Sequence, residues 1–346
     1  MLDFTNSQIT RITAHRIGNK ANDEKLLLSN ELLSVEDKQL KEVLFSFFLS
    51  PFQSPEFYNF TFSNQDFTLN PLFTFSSKLF EQKNNFHKLS CDIAHHLYEV
   101  STHPQIKAGD LFVVFFRNLS VNGHVLNAIG LFKSENKQAF LQLDSDNFEL
   151  NLEEGINCEK LDKGCLIFDD EANKGYRLCI VDKANKSLEA HYWRDNFLQI
   201  RPCKDEYHQT KDFLSLAKTY VTAGLTADFE VNKTEQIELL NRSMEYFKTH
   251  ESFNKGEFER EVFQDTAVIK SFRSFDKMYR EDNDIEFPDN FEISDKAVKK
   301  QSRVFKSVLK LDKNFHIYIH GNKELIEQGV EKDGRKFYKI YYTEEN

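Results

Sequence analysis

The chain has 346 residues, of which 40% are hydrophobic and 29% charged; that is apolar material for two domains or one large one, and it excludes a disordered tail. With 45 basic and 55 acidic residues the formal net charge is −10. Charge spread evenly at that level repels nucleic acid and anionic membrane, so any DNA binding requires a local basic patch.

The opening residues, MLDFTNSQITRI, carry no apolar segment behind a basic start, so no secretory leader is expected. QITRITAHRIG reads as a strand closed by Gly18. Ser34 and Asp37 stand where a capping box begins. Leu40, Val43, Leu44, Phe47 and Phe48 then recur at helical spacing until Pro51. EFYNFTFS (56–63) alternates as a strand. Ile93, Ala94, Leu97 and Val100 share a helical face that ends before Pro104. DLFVVFFRNLSV and HVLNAIGLFKSE flank Asn122-Gly123, a strong type I′ hairpin signal. The apolar run Leu111–Phe116 inside that hairpin is far too short to span a bilayer. AFLQLD, GCLIFDD and GYRLCIVDK read as further strands, the last two around a polar turn.

Beyond Pro202 the texture becomes helical. Phe213, Leu214, Ala217, Tyr220 and Val221 form a stripe closed by Gly224, which reads as a C-cap. Residues 234–250 carry Ile237, Leu240, Met244 and Phe247 at spacings of three and four. NKGEFEREVF opens a third helix, with Asn254 and Glu257 in capping-box positions. Near the end, NFHIYIHG and RKFYKIYY alternate as strands joined by a Lys-Asp-Gly turn. The expected fold class is therefore α+β. Residues 1–204 should form a mixed, largely antiparallel sheet with helices, and residues 205–346 a mainly helical region with a C-terminal β-hairpin. The 34 phenylalanines assign nothing on their own, because a codon bias gives the same excess.

No dinucleotide, P-loop, zincin or nucleophile-elbow motif is present. Cys91, Cys158, Cys165, Cys179 and Cys203 are odd in number and widely spaced, which predicts reduced, buried thiols in a cytoplasm. CDIAHHLYEVSTHP places Cys91 and His95 four apart, with His96 and His103 nearby. A structural zinc needs four good ligands, so a core thiol among partly buried histidines is the plainer reading, and no metal or cofactor is expected. His316, Tyr318 and His320 alternate onto one strand face, which reads as the solvated side of a half-buried strand. DSDNFELNLEEG reads as an acidic loop or edge strand without EF-hand spacing. His191 and His208 flank Trp193 and Pro202 without a third catalytic partner, and that stretch reads as a junction between the sheet and the helices.

The strongest charge pattern comes late. EDNDIEFPDNFEISD (281–295) carries seven acids and no base, namely Glu281, Asp282, Asp284, Glu286, Asp289, Glu292 and Asp295. KAVKKQSRVFKSVLKLDK (296–313) carries seven bases against Asp312 alone. A helix over its first half aligns the bases on one side, as a stripe able to follow phosphates. The opposing reading is a solvated face neutralised by the adjacent acids.

AHYWRDNFLQIRPCKDEYHQTKDFL, with FSNQDFTLNPLF, HPQIKAGDLFVVFF, NAIGLFKSENKQAF and LDKGCLIF, resembles the bacterial 37-kDa nucleoid-associated protein family, NdpA-like. The resemblance runs from about Phe4 to Tyr342 and rests on order and texture rather than a short motif. It implies a bacterial, cytoplasmic protein of the nucleoid that associates with double-stranded DNA, without a cofactor or an established reaction. Nucleoid proteins often bridge DNA as dimers, so a homodimer fits that expectation. The expected function is non-catalytic binding of duplex DNA through phosphates, with little sequence reading. From charge spacing, Lys296, Lys299, Lys300, Arg303, Lys306 and Lys310 are the expected contacts. The alternative is an acidic protein-interaction module, binding or mimicking DNA towards a DNA-processing enzyme through 281–295. A metal-dependent nuclease ranks last, since no carboxylate pair shows metal-ligand spacing.

Overall fold

The computed structural model describes residues 2–53, 55–63, 66–182, 192–303, 305, 308–311, 313–318 and 325–344, with the backbone alone at 83 and 308–310. The fold class is α+β. The chain divides into two compact units, Met1–Cys203 and Lys204–Asn346.

The first unit is built on a sheet of β1 (Leu2–Asp3), β2 (Gln8–Ile17), β3 (Phe57–Phe60), β4 (Gly109–Val121), β5 (His124–Ser134), β8 (Lys163–Phe168), β9 (Arg177–Asp182) and β10 (Ile200–Pro202). The order is β1–β4–β5–β8–β9–β3–β10, with β2 also beside β4, and these pairings are antiparallel. Helices cover both faces. Leu111, Val113 and Phe115 of β4 join a core with α2 (Pro71–Glu81) and α3 (Phe86–Val100). Phe112, Val114 and Phe116 point the other way, into a core with α1 (Lys38–Leu49). Two-sided burial is why β4 reads as an unbroken apolar run rather than an alternating one. Asn122 (φ 51°) and Gly123 (φ 86°) make the β4–β5 turn, where positive φ is required at both positions.

Several local expectations shift. Asp37 alone caps α1, its carboxylate accepting from Leu40 N at 2.6 Å, while Ser34 takes no part. Of the expected stripe on α1, Phe47 and Phe48 are buried, Leu44 is half-buried, and Leu40 and Val43 are exposed. Helix α2 is not among the expected elements, although Leu72, Phe75, Leu79 and Phe80 fall at helical spacing; Asn70 starts it. Its side-chain oxygen accepts from Leu72 N and Phe73 N at 2.8 and 3.2 Å, and Pro71 fills the first helical position. The segment DSDNFELNLEEG is the tip and returning strand of a separate hairpin, β6 (Lys137–Leu143) with β7 (Leu150–Ile156). Leu141 opposes Leu152 and Leu143 opposes Leu150, and all four side chains are exposed. Cys165, Cys179 and Cys203 are buried free thiols and Cys91 is half-buried, but Cys158 is exposed, because it sits in the loop after that hairpin.

Trp193 lies in a π-helical turn, Tyr192–Leu198, and is fully buried beside Phe197, with ring centroids 4.8 Å apart. The aromatic density of that stretch therefore serves the core of the first unit.

In the second unit, Asp205 caps α4 (Glu206–Thr219), accepting from His208 N at 2.9 Å. The helix does not stop at Gly224. It runs through a π-helical turn, Tyr220–Gly224, into Leu225–Asp228, with Gly224 at a helical φ of −64°. Gly224 is small for packing, not for capping: a Cβ there would lie 2.8 Å from Phe275 Cδ2 and 2.9 Å from Tyr220 Cδ2. Helix α5 (Lys233–Thr249) opens with a full capping box from Asn232 and Glu235. Asn254 caps the short turn Lys255–Phe258, which continues as a π-helical turn, Glu259–Phe263. Helices α6 (Thr266–Asn283) and α7 (Asp295–Ser302) complete the bundle, with β11 (Ser252–Asn254) paired to β12 (Asn290–Glu292). Phenylalanine builds its centre, where Phe213 meets Phe247, Phe253, Phe258, Phe272 and Phe287 with centroids 4.2–6.2 Å apart.

The C-terminal β element is two hairpins. β13 (Val308–Leu311) pairs with β14 (Phe315–Tyr318), and β15 (Ile326–Val330) with β16 (Lys336–Ile340). The Lys332-Asp333-Gly334 turn thus joins β15 to β16, and NFHIYIHG belongs to the other hairpin. Ile237 of α5 packs with Leu311, Ile317, Ile326 and Tyr338 from both.

Candidate nucleic-acid interface

Helix α7 carries the basic residues. Its start is tied to α4 by Ser294 N, which donates to Thr210 Oγ1 at 3.0 Å. Ala297 and Val298 are buried, and Val298 packs into the phenylalanine core. That burial fixes which side of the helix faces water. Lys296, Lys299, Lys300 and Arg303 are exposed and fall at i, i+3, i+4 and i+7, on one face. At about 1.5 Å per residue they span about 10 Å. Asp295 in the first turn and Lys299 and Lys300 in the last both complement the helix dipole.

The other two expected contacts are placed differently. Lys306 lies outside the described residues, and Lys310 sits on β13 opposite His316 rather than on the helix. The helix ends at Ser302 with Arg303 as its C-cap, so it covers the first half of the basic segment, as expected.

Two members of the acidic run pair with cations elsewhere in the second unit. Lys204 Nζ meets Glu286 Oε2 at 2.7 Å and holds that carboxyl below its ordinary pKa. Asp289 lies 3.8 Å from Lys255 and 3.6 Å from Arg280. Those two cations also grip the buried Asp276, at 2.5 and 2.6 Å, and the Arg280 guanidinium lies 3.9 Å from the Phe287 ring centroid. Among the described residues, Lys296, Lys299 and Arg303 pair with no carboxylate. Glu286 and Asp289 thus pair with cations outside the stripe.

The remaining candidates are engaged in packing. Cys91 Sγ lies 3.9 Å from His87 Nε2 rather than beside His95. His96 Nε2 reaches Phe197 O at 3.2 Å, and burial holds its pKa down. His208 is buried with Nδ1 2.8 Å from Asp205 Oδ1, and His191 falls outside the described residues. His316 and Tyr318 are exposed on β14, as a solvated face requires, while His320 lies outside the described residues.

Sequence reasoning missed a buried charge cluster in the first unit. Lys133 donates to Lys107 O at 2.7 Å, Glu135 Oε1 at 2.9 Å and Tyr192 Oη at 3.0 Å. Tyr192 donates in turn to Glu135 at 2.6 Å, and Lys163 pairs with Asp182 at 2.9 Å. Burial pulls the Lys133 pKa down against the opposing pull of Glu135. Lysines at the ends of two neighbouring strands gave no periodic signal for it. Its internal partners make it a clasp at the end of the sheet.

No helix among the described residues is long and apolar enough to cross a membrane. No curated protein matches the chain. A family model described as nucleoid-associated protein YejK matches residues 13–335, nearly the whole length. The chain belongs to the nucleoid-associated protein YejK family.

Proposed function

We propose that the protein binds duplex DNA through its phosphates, without catalysis and with little sequence reading, using the exposed face of α7. The observation that carries this is the arrangement of Lys296, Lys299, Lys300 and Arg303 on one solvent face, opposite the buried Ala297 and Val298. Phosphate pairing by these side chains releases counterions, so affinity falls with salt at a slope of about −0.9 per phosphate neutralised. Four contacts give a slope of roughly −3.6, and Lys310 on β13 is a further contact on the same reading. A nucleoid protein that positions itself on phosphates needs no base edge to recognise.

The test is fluorescence anisotropy of nucleic-acid-free protein on a mixed-sequence duplex at several salt concentrations. Charge reversal at Lys299, Lys300 and Arg303 should flatten the slope by roughly 2.7, at about 0.9 per lost contact. An unchanged slope removes α7 from the interface. A duplex that shortens over hours with Mg²⁺ or Mn²⁺ overturns the non-catalytic part.

A further inference from the structure

A second side-chain cluster lies in the second unit, where α5 ends and the π-helical turn Glu259–Phe263 begins. It comprises His250, Glu257 and Glu261, which each offer one ligand atom, all within 4.8 Å of one another. His250 and Glu257 are half-buried, and Glu261 is exposed.

Two features outside the three ligands prepare them. The first concerns the imidazole. His250 Nδ1 lies 3.0 Å from the carbonyl oxygen of Tyr246, which can only accept, and 3.1 Å from Thr249 Oγ1, whose own proton goes to Glu245 O at 2.9 Å; both contacts favour the tautomer with the proton on Nδ1. The lone pair of the neutral ring is then on Nε2, the nitrogen 3.9 Å from Glu261 Oε2. A metal-binding histidine characteristically donates its other ring N–H to such a carbonyl, which fixes both tautomer and orientation. The second concerns the tyrosine itself. The Tyr246 ring stacks on His250 with centroids 4.1 Å apart and planes 15° apart. Its hydroxyl donates to Glu257 Oε2 at 3.1 Å. One residue therefore orients both an imidazole and a carboxylate ligand.

We propose that His250 Nε2, Glu257 and Glu261 bind a divalent first-row transition ion such as Zn²⁺, with Tyr246 as the positioning residue. One imidazole and two carboxylates make a borderline donor set that suits zinc and its neighbours better than magnesium or calcium. Bond lengths of about 2.0–2.2 Å require the donors to close to roughly 4 Å or less. From separations within 4.8 Å, closing to that distance asks for less than about 1 Å of movement by these side chains. Three protein ligands leave a coordination position for water. The ion would tie the C-terminal end of α5 to the following π-helical turn, a bond the chain otherwise lacks covalently. The site is independent of the basic face of α7 and stands or falls without it.

The experiment uses tag-free, chelator-treated, full-length protein titrated with Co²⁺, followed by visible absorption, with Zn²⁺ as competitor. One equivalent should bind without the thiolate-to-cobalt band that Cys91 or Cys158 would give. His250→Ala and Glu261→Gln should each weaken binding by tenfold or more. Tyr246→Phe keeps the ring stack but loses the hydroxyl, including its bond from Asn254 N at 3.2 Å, and should weaken binding by about tenfold when titrated under conditions where the variant is folded. Glu261 is exposed, so its variant remains informative if His250→Ala fails to fold. Absence of binding, a thiolate band, or undiminished affinity in Glu261→Gln overturns the proposal.

Discussion

His15 on β2 should make the first unit acid-sensitive in a defined window. Its ring is buried, and its two nitrogens already have fixed tasks. Ser29 N donates to Nδ1 at 3.2 Å, while Nε2 lies 3.0 Å from Ser90 Oγ, a hydroxyl that itself donates to His87 O. Nδ1 must therefore carry the lone pair, and a proton there breaks the bond from Ser29. Burial and the neighbouring His87 and His95 of α3 depress the His15 pKa from 6.5 to about 4. A depressed histidine favours the folded state fully above its unfolded value. As pH falls from 6.5 to 4, the unfolded chain takes up a proton that the folded one refuses, and stability drains away. The whole effect is about 3 kcal/mol, of which roughly 2.5 is lost between pH 7 and pH 4.5. Urea unfolding at those two pH values checks it. Fluorescence of Trp193, the chain's only tryptophan, lies in the first unit and reports on it alone. His15→Gln, whose amide oxygen can accept from Ser29, should lose about 2.5 kcal/mol less than wild type between the two pH values. Equal losses refute the argument, as does a directly measured His15 pKa near 6.5 by NMR titration.

Two further expectations follow from packing. Gly224→Ala should destabilise the second unit by about 1–2 kcal/mol, since overpacking against Phe275 and Tyr220 outweighs the gain in helix propensity. Adding Phe275→Leu should recover much of that loss in a chemical-denaturation cycle, which a C-cap glycine would not allow. In the β6–β7 hairpin, the paired and exposed Leu141 and Leu152 should tolerate joint replacement by serine, with a change within about 0.5 kcal/mol in the same assay.

How far the sequence was legible depended on how local the physics was. The β4–β5 hairpin was readable because Asn122-Gly123 demands positive φ at two adjacent positions. The capping box of α5 was a local signal of the same kind, and the apolar spacing of α3 matched its buried face. The failures involved partners distant in sequence. Gly224 resembles a helix stop until Phe275, some fifty residues away, is seen against it. Helix α2 was the exception: Asn70 and Pro71 are a local start signal and Leu72, Phe75 and Leu79 fall at helical spacing, while the Asn70 amide also donates to Thr61, Leu198 and Gln199. The strand partner of NFHIYIHG was misplaced because alternation identifies a strand and says nothing of its neighbour. The basic stripe was readable as far as the helix went. Lys310 lies on β13, beyond the half of the segment expected to be helical.

The overall charge and the basic face of α7 act over different distances. At physiological salt the Debye length is about 8 Å, shorter than the roughly 10 Å covered by the four cations of α7. A phosphate at that face is governed by Lys296, Lys299, Lys300 and Arg303 and only weakly by acids elsewhere. The net charge of −10 then has a separate consequence: it disfavours phosphate contact over most of the remaining surface. On the proposed reading, acidity and DNA binding are complementary. The acids restrict the duplex to one face, and Glu286 and Asp289 of the neighbouring acidic run pair with Lys204, Lys255 and Arg280. Specificity of orientation comes from where charge is withheld as much as from where it is placed.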